Sequence, residues 1–172
     1  VTHHNALDAD FYLRIAPELF LKQTIAAGFD RVYEIGKNFR NEGMDAMHLQ
    51  EFTMLEWYAA YWDFNDNIDF CWTLIQKILT DLRGTLQIEY QGTKLDFTTY
   101  EKIDYIARMN ELLGVDILEF KDTEVLKKQL VEQGMFAMAE IEDLHSVQSV
   151  VDYVFKRKVR DQIINPAIVY NY

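Results

Sequence analysis

Two stretches of alternating residues, separated by a run with no apolar period, constrain this chain more than any other feature. Over residues 29–40, Tyr33, Ile35 and Phe39 fall on one face of a strand, while Glu34, Asn38 and Arg40 fall on the other. The alternation predicts that the first face is core and the second polar. Residues 41–50 have no such period and read as a loop. Residues 51–61 then resume as a strand, with Phe52, Met54, Glu56 and Tyr58 on a common face. Two strands joined in this way form a long hairpin, and connections of that length are often functional.

The flanking segments have simpler signals. Phe11, Tyr12 and Ile15 predict a strand over 10–15, and Leu19, Phe20, Thr24 and Ile25 predict a helix over 18–27 that stops at Gly28. Downstream, Ile68, Trp72, Ile75, Leu79 and Leu82 form one stripe of a packing helix over 66–82, closed by Gly84. Residues 87–97, broken at Gln91-Gly92, predict a short hairpin, and Thr98 opens a helix carrying Ile103, Ile106, Leu112 and Leu113 before Gly114. Further helices are predicted over 122–133 and 146–164, with a last strand from Ala167. This order implies one compact α+β unit, an antiparallel sheet flanked by helices, with residues 99–164 as a local helical insertion.

With 172 residues and 49% hydrophobic content, the chain can bury a sizeable core and is too apolar for a disordered segment. It opens at Val1 and stops at Tyr172 inside an apolar run, so it reads as a partial domain. The single cysteine, Cys71, has no disulfide partner within the chain. With no leader and no apolar run of about 18 residues, the expected compartment is the cytoplasm. A net charge of -11 argues against a general nucleic-acid-binding surface, because phosphate contacts need clustered Lys and Arg.

Two placements need more than packing. Arg40 ends a strand on its polar face and is followed in the loop by Glu42, Asp45 and His48. Glu56 and Tyr58 share a face with Phe52 and Met54, and a carboxylate among apolar side chains is costly to ionise without a cation beside it. Taken alone, an Arg40–Glu56 ion pair across the hairpin accounts for both.

The run Phe39-Arg40-Asn41-Glu42-Gly43, followed by Glu51-Phe52-Thr53-Met54-Leu55-Glu56, resembles motif 2 of class II aminoacyl-tRNA synthetases. The resemblance is to the lysyl enzymes of that class, through His3-His4-Asn5-Ala6-Leu7-Asp8, Tyr12-Leu13-Arg14-Ile15-Ala16-Pro17-Glu18-Leu19 and Phe29-Asp30-Arg31-Val32-Tyr33-Glu34-Ile35-Gly36. Linked motifs in one order are far more specific than one short pattern. The chain departs from the family where Leu49-Gln50 replaces the usual Asn-Pro after His48, and Met47 offers no basic side chain to the γ-phosphate.

The resemblance implies residues 1–172 as part of a catalytic domain that activates lysine with ATP and transfers it to tRNA(Lys). It implies that Arg40 contacts the lysine carboxylate and the ATP α-phosphate, that Phe52 stacks on adenine, and that Glu42 and His48 hold the ATP. It implies Glu18 as the partner of the α-ammonium, and Glu56 with Tyr58 as partners of the ε-ammonium. The parent is expected to be a homodimer that uses Mg2+ through ligands outside this chain, with tRNA held mainly by regions outside it as well. The family's third motif and anticodon-binding barrel are not found here.

The same resemblance leaves rivals. Met54-Leu55-Glu56-Trp57-Tyr58 also resembles the truncated lysyl-synthetase paralogue that modifies elongation factor P. An aspartyl or asparaginyl enzyme shares motif 2, but Glu18 with Glu56 is the wrong electrostatics for aspartate. A non-catalytic synthetase-like binding protein is the third. Elsewhere plainer readings hold. His3, His4 and His145 lack a ligand set in register, Lys156-Arg157-Lys158 with Arg160 forms a solvated face, Trp57, Tyr61 and Trp62 are core, and Cys71 is a buried inert thiol.

Overall fold

The computed structural model describes residues 2–41, 43 and 48–172. Its contacts divide the chain into two units, Val1–Asn67 and Ile68–Tyr172, with the division falling inside a helix.

The first unit opens with a two-stranded antiparallel sheet, β1 (Thr2–His4) against β2 (Ala9–Phe11). The predicted strand over 10–15 is therefore shorter and starts earlier, and Tyr12 to Ala16 has no regular structure. His3 sits in β1 opposite Asp10, and its ring reaches Asp10 at 3.1 Å and Asp8 at 3.3 Å. Helix α1 (Glu18–Ala26) begins after Pro17 and ends where Gly28 takes φ 101°, a left-handed turn suited to glycine.

Strands β3 (Arg31–Phe39) and β4 (Glu51–Ala59) form the long antiparallel hairpin, in a nine-residue register running from Arg31 opposite Ala59 to Phe39 opposite Glu51. The predicted core face of β3 is corrected here. The even-numbered side, with Val32, Glu34, Gly36 and Asn38, is the covered one, whereas Tyr33 and Ile35 are 72% and 63% exposed. The reason is that α1 packs on this pair and the segment before it lies along β3, where the Arg14 carbonyl accepts the Phe39 N–H at 2.9 Å. On β4 the prediction holds, with Phe52, Met54, Glu56 and Tyr58 all on the covered side. Tyr61, predicted as core, is fully exposed at a turn with φ 65°.

Helix α2 (Phe64–Arg83) carries the division between units and ends at Gly84. It contains no buried residue, and Ile75 and Leu82 stand exposed, so it is not the closely packed helix predicted. Its Trp72 meets Phe97 and Tyr100, at ring separations of 6.2 and 4.7 Å. Cys71 is half-buried, and burial pushes its thiol pKa up.

In the second unit β5 (Gln87–Tyr90) and β6 (Thr93–Asp96) form the predicted hairpin, turning through Gln91 and Gly92, both with positive φ. The helix predicted from Thr98 is preceded instead by β7 (Glu101–Asp104), and α3 (Tyr105–Leu113) starts where the Asp104 carboxylate accepts the Ala107 N–H. Helices α4 (Thr123–Glu132), α5 (Met138–Ile141) and α6 (Val147–Val154) follow, and α6 continues as a π-helical turn over Phe155–Val159 and a 3-10 turn over Arg160–Gln162. The last strand, β8 (Ala167–Tyr170), pairs with β7 in parallel, so one of the four small sheets among the described residues is not antiparallel.

Burial is uneven. The core is the helical cluster of the second unit, in which Met109, Leu126, Leu130, Ile141, Val150 and Val154 are all inaccessible to solvent. The only buried hydrophobic side chain of the first unit among the described residues is Leu21. Met109→Ala is therefore expected to destabilise the second unit by about 2–5 kcal/mol in a denaturant titration, the range for a fully buried large-to-small change.

Candidate functional site

The site is assembled on the covered face of the β3–β4 hairpin and on the segment that leads into α1. The hairpin register sets its central feature, because Glu34 lies directly opposite Glu56. Two carboxylates opposed on neighbouring antiparallel strands repel unless each finds a partner.

Glu34 has one. Arg14 forms an ion pair with Glu34, and its Nε donates to the Lys37 carbonyl at 2.8 Å, so the guanidinium lies across β3. Gly36 makes room for it, since a Cβ there would collide with the Arg14 guanidinium. The Arg14 backbone and side chain together fix the segment that carries Pro17 and then Glu18. Glu18 pairs with Lys22 one turn along α1, and the Lys22 ammonium lies 5.8 Å from the Tyr58 ring centre.

Glu56 has no such cation. Its hydrogen-bond partner among the described residues is Tyr58, whose hydroxyl donates to it at 2.9 Å. The pairing with Arg40 across the hairpin does not form. Glu56 faces Glu34, whereas Arg40 lies beyond Phe39 at the loop end, six residues further along β3 and roughly 20 Å away at strand rise. Partial burial, the hydrogen bond to Glu56 and the negative charges of Glu56 and Glu18 push the Tyr58 phenol up to about 12. Tyr58 therefore stays protonated across the neutral range and keeps a lone pair free to accept.

At the loop end, Arg40 and Phe52 come together, with the guanidinium carbon 5.2 Å from the ring centre. Among the described residues the Arg40 side chain makes one long hydrogen bond, from Nε to the Ile15 carbonyl at 3.4 Å. His48 is exposed and engaged in a contact of its own. Glu42 and Asp45 lie outside the described residues. Phe52 and Glu56 are four residues apart on one face of β4, roughly 13 Å at strand rise. The hairpin thus separates a cation-and-ring end from an acid-and-phenol end along one face.

Of the predicted site residues, the structure joins Arg40 with Phe52, and Glu56 with Tyr58, and it sets Glu18 close enough for its charge to act on Tyr58. Sequence reasoning missed Arg14, Glu34 and Lys22 as the pairs that leave Glu56 the odd carboxylate. Gly36 was the available signal, since glycine inside a strand marks a close approach. Among the described residues no group of three or more His, Cys, Asp or Glu side chains could hold a metal ion, and no helix is long and apolar enough to cross a membrane.

The phenol's environment gives a direct check. A fold that raises the pKa of Tyr58 is stabilised by the neutral phenol below the ordinary value of 10, and loses that contribution as pH rises toward 12. At pH 10, where an ordinary tyrosine is half ionised, the Tyr58 ring-carbon resonance is expected to remain that of the neutral phenol, and Glu56→Gln is expected to move its midpoint down toward 10.

The family model described as tRNA synthetases class II (D, K and N) matches residues 1–172. Among curated proteins the chain is similar to a protein named lysine–tRNA ligase from Fusobacterium nucleatum, 39% identical over all of this chain and 34% of the relative. It is similar to proteins of the same name from Thermotoga maritima, 45% identical over 98% of this chain and 32% of the relative, and Aquifex aeolicus, 43% identical over all of this chain and 28% of the relative. The chain thus spans about a third of the length of the curated relatives it matches.

Proposed function

The chain belongs to the class II tRNA synthetases of the D, K and N type, and from that premise we propose that it is the motif 2 part of a lysine–tRNA ligase catalytic domain. The observation that carries the lysine assignment is the uncompensated Glu56. Glu34 is matched by Arg14 and Glu18 by Lys22, while among the described residues Glu56 has only the Tyr58 hydroxyl. A lysine ε-ammonium supplies the missing cation, donating to the Glu56 carboxylate and to the free lone pair of Tyr58. An aspartate side chain would add a further anion to this end, which the electrostatics oppose.

In this reading the lysine carboxylate attacks the α-phosphorus of ATP, forming lysyl-adenylate and releasing pyrophosphate. A terminal ribose hydroxyl of tRNA(Lys) then attacks the acyl carbon and AMP leaves. Arg40 holds the carboxylate and the α-phosphate together and offsets the charge that grows on the phosphoryl oxygens as the bond forms. Phe52 stacks on the adenine, while Glu42 and His48 hold the nucleotide from the loop. Glu18 meets the α-ammonium by exchanging Lys22 for the substrate's cation. Members of this family use Mg2+ with ATP. The described residues hold no group of three or more His, Cys, Asp or Glu side chains that could bind the ion, and its ligands belong to regions outside this chain.

We further read residues 99–164 as a helical insertion in the catalytic domain. The parent is a cytoplasmic homodimer that binds most of its tRNA through regions outside this chain. The paralogue that modifies elongation factor P stays the second reading, because Met54-Leu55-Glu56-Trp57-Tyr58 fits it as well.

The test is thermal unfolding of the full-length protein with non-hydrolysable lysyl-, β-lysyl- and aspartyl-adenylate analogues. A ligand held at about 100 times its Kd stabilises the folded state by about 2.7 kcal/mol. The lysyl analogue is expected to raise Tm by several degrees, and Arg40→Ala to abolish the shift. A larger shift with the β-lysyl analogue would favour the paralogue, and one with the aspartyl analogue would overturn the lysine assignment.

A further inference from the structure

Asn38 is the one polar side chain in the first unit that is both fully buried and unpaired among the described residues. It is 0% exposed, and neither its Nδ2 nor its Oδ1 has a hydrogen-bond partner. A buried carboxamide with both groups unmet is rare and costly in a folded protein, so its position calls for a cause. Its place in the hairpin supplies one. Strand alternation sets Asn38 on the face of Glu34 and Glu56, and the register puts it directly opposite Phe52.

Arg40 lies two residues further along, on the same side of the chain, and its guanidinium leans back over the Phe52 ring. The guanidinium therefore sits over the ring that lies opposite Asn38. It has five N–H donors and no acceptor, and among the described residues it uses one donor in a bond near the limit of hydrogen-bond length. Glu34 is paired with Arg14, and Glu56 lies too far along the hairpin to meet Arg40. Among the described side chains of this face, the Asn38 Oδ1 is an unmet acceptor beside Phe52.

We propose that Asn38 is a positioning residue for Arg40, its Oδ1 accepting a guanidinium N–H when Arg40 closes on a bound phosphate or carboxylate. The outer edge of the guanidinium takes the anion, and the inner edge is held from below by the carboxamide. An unmet acceptor in the free protein then becomes a met one in the complex, so the bond is made where it aids the reaction and not where it stabilises the fold. The inference rests on the reading of Arg40 as the anion-holding residue, and the experiment separates the two.

Lysine-dependent exchange of pyrophosphate into ATP is measured on the full-length protein with Asn38→Val and Asn38→Thr. These replacements are isosteric with each other and differ in one hydroxyl. Val is expected to lower kcat by about 10- to 100-fold, the size of a hydrogen bond to a charged group, with KM for lysine unchanged. Thr, which keeps an acceptor, is expected to recover part of that loss. Tm of both variants is expected to equal or exceed that of the parent, because no made bond is removed. Kd for a lysyl-adenylate analogue, readable even where turnover is lost, is expected to be the same for Arg40→Ala with and without Asn38→Val. Equal kcat for Val and Thr, or a Val effect that persists in the Arg40→Ala background, would overturn the positioning role while leaving the function intact. Full exchange activity in Arg40→Ala would overturn the reading of Arg40, and this inference with it.

Discussion

Two glutamates held face to face on neighbouring strands set the electrostatics on which this site depends. The β3–β4 register fixes Glu34 against Glu56, and no local rearrangement separates them, because a slip of one residue would turn every side chain to the opposite face. The chain meets the constraint asymmetrically. Arg14 crosses β3 through the gap left at Gly36 and neutralises Glu34 alone. What remains is a half-covered carboxylate with a phenol beside it, a site whose charge balance is completed by a cation from outside. The same Arg14 bonds fix the approach to Pro17 and Glu18, so the residue that settles the charge of Glu34 also sets where α1 begins.

Much of this was legible in the sequence. Helix α1 with its stop at Gly28, the β5–β6 hairpin at Gln91-Gly92 and helix α4 behind Asp122 all follow from local punctuation, where a glycine or a short polar side chain decides the backbone. The shared face of Phe52, Glu56 and Tyr58 follows from strand period alone. What was not legible depends on contacts between distant segments. Period identifies two faces of β3 but not which one is covered, and the apolar Tyr33 and Ile35 face proved to be the open one because α1 and the Arg14 segment take the polar side. The β7–β8 pair joins residues more than sixty positions apart and in parallel, so no local pattern announces it, and the strand-forming run at Glu101 was absorbed into a predicted helix.

The two units differ in what holds them. The second has a closed helical core and needs no further explanation. The first carries the site on a two-stranded hairpin, and among the described residues its one buried large hydrophobic side chain, Leu21, is on α1; such ribbons are marginal unless packed on other structure. Its order comes from the long register, from α1 and from the polar clamp at Arg14. A site built this way is held by directional bonds more than by apolar burial, which suits a surface whose polar groups are satisfied differently when a charged substrate is present.

The central claim is that Glu56 and Tyr58 select a cationic side chain. Its most direct test is amino-acid-dependent pyrophosphate exchange by the full-length protein, comparing lysine with norleucine, which keeps the aliphatic chain but lacks the ammonium, and with aspartate. The account predicts a preference for lysine of about 10³-fold or more in kcat/KM, since a site built to pair a polar group rejects an analogue without it, and predicts that Glu56→Gln erases most of that preference. Comparable use of norleucine or aspartate, or a lysine preference untouched by Glu56→Gln, would contradict it.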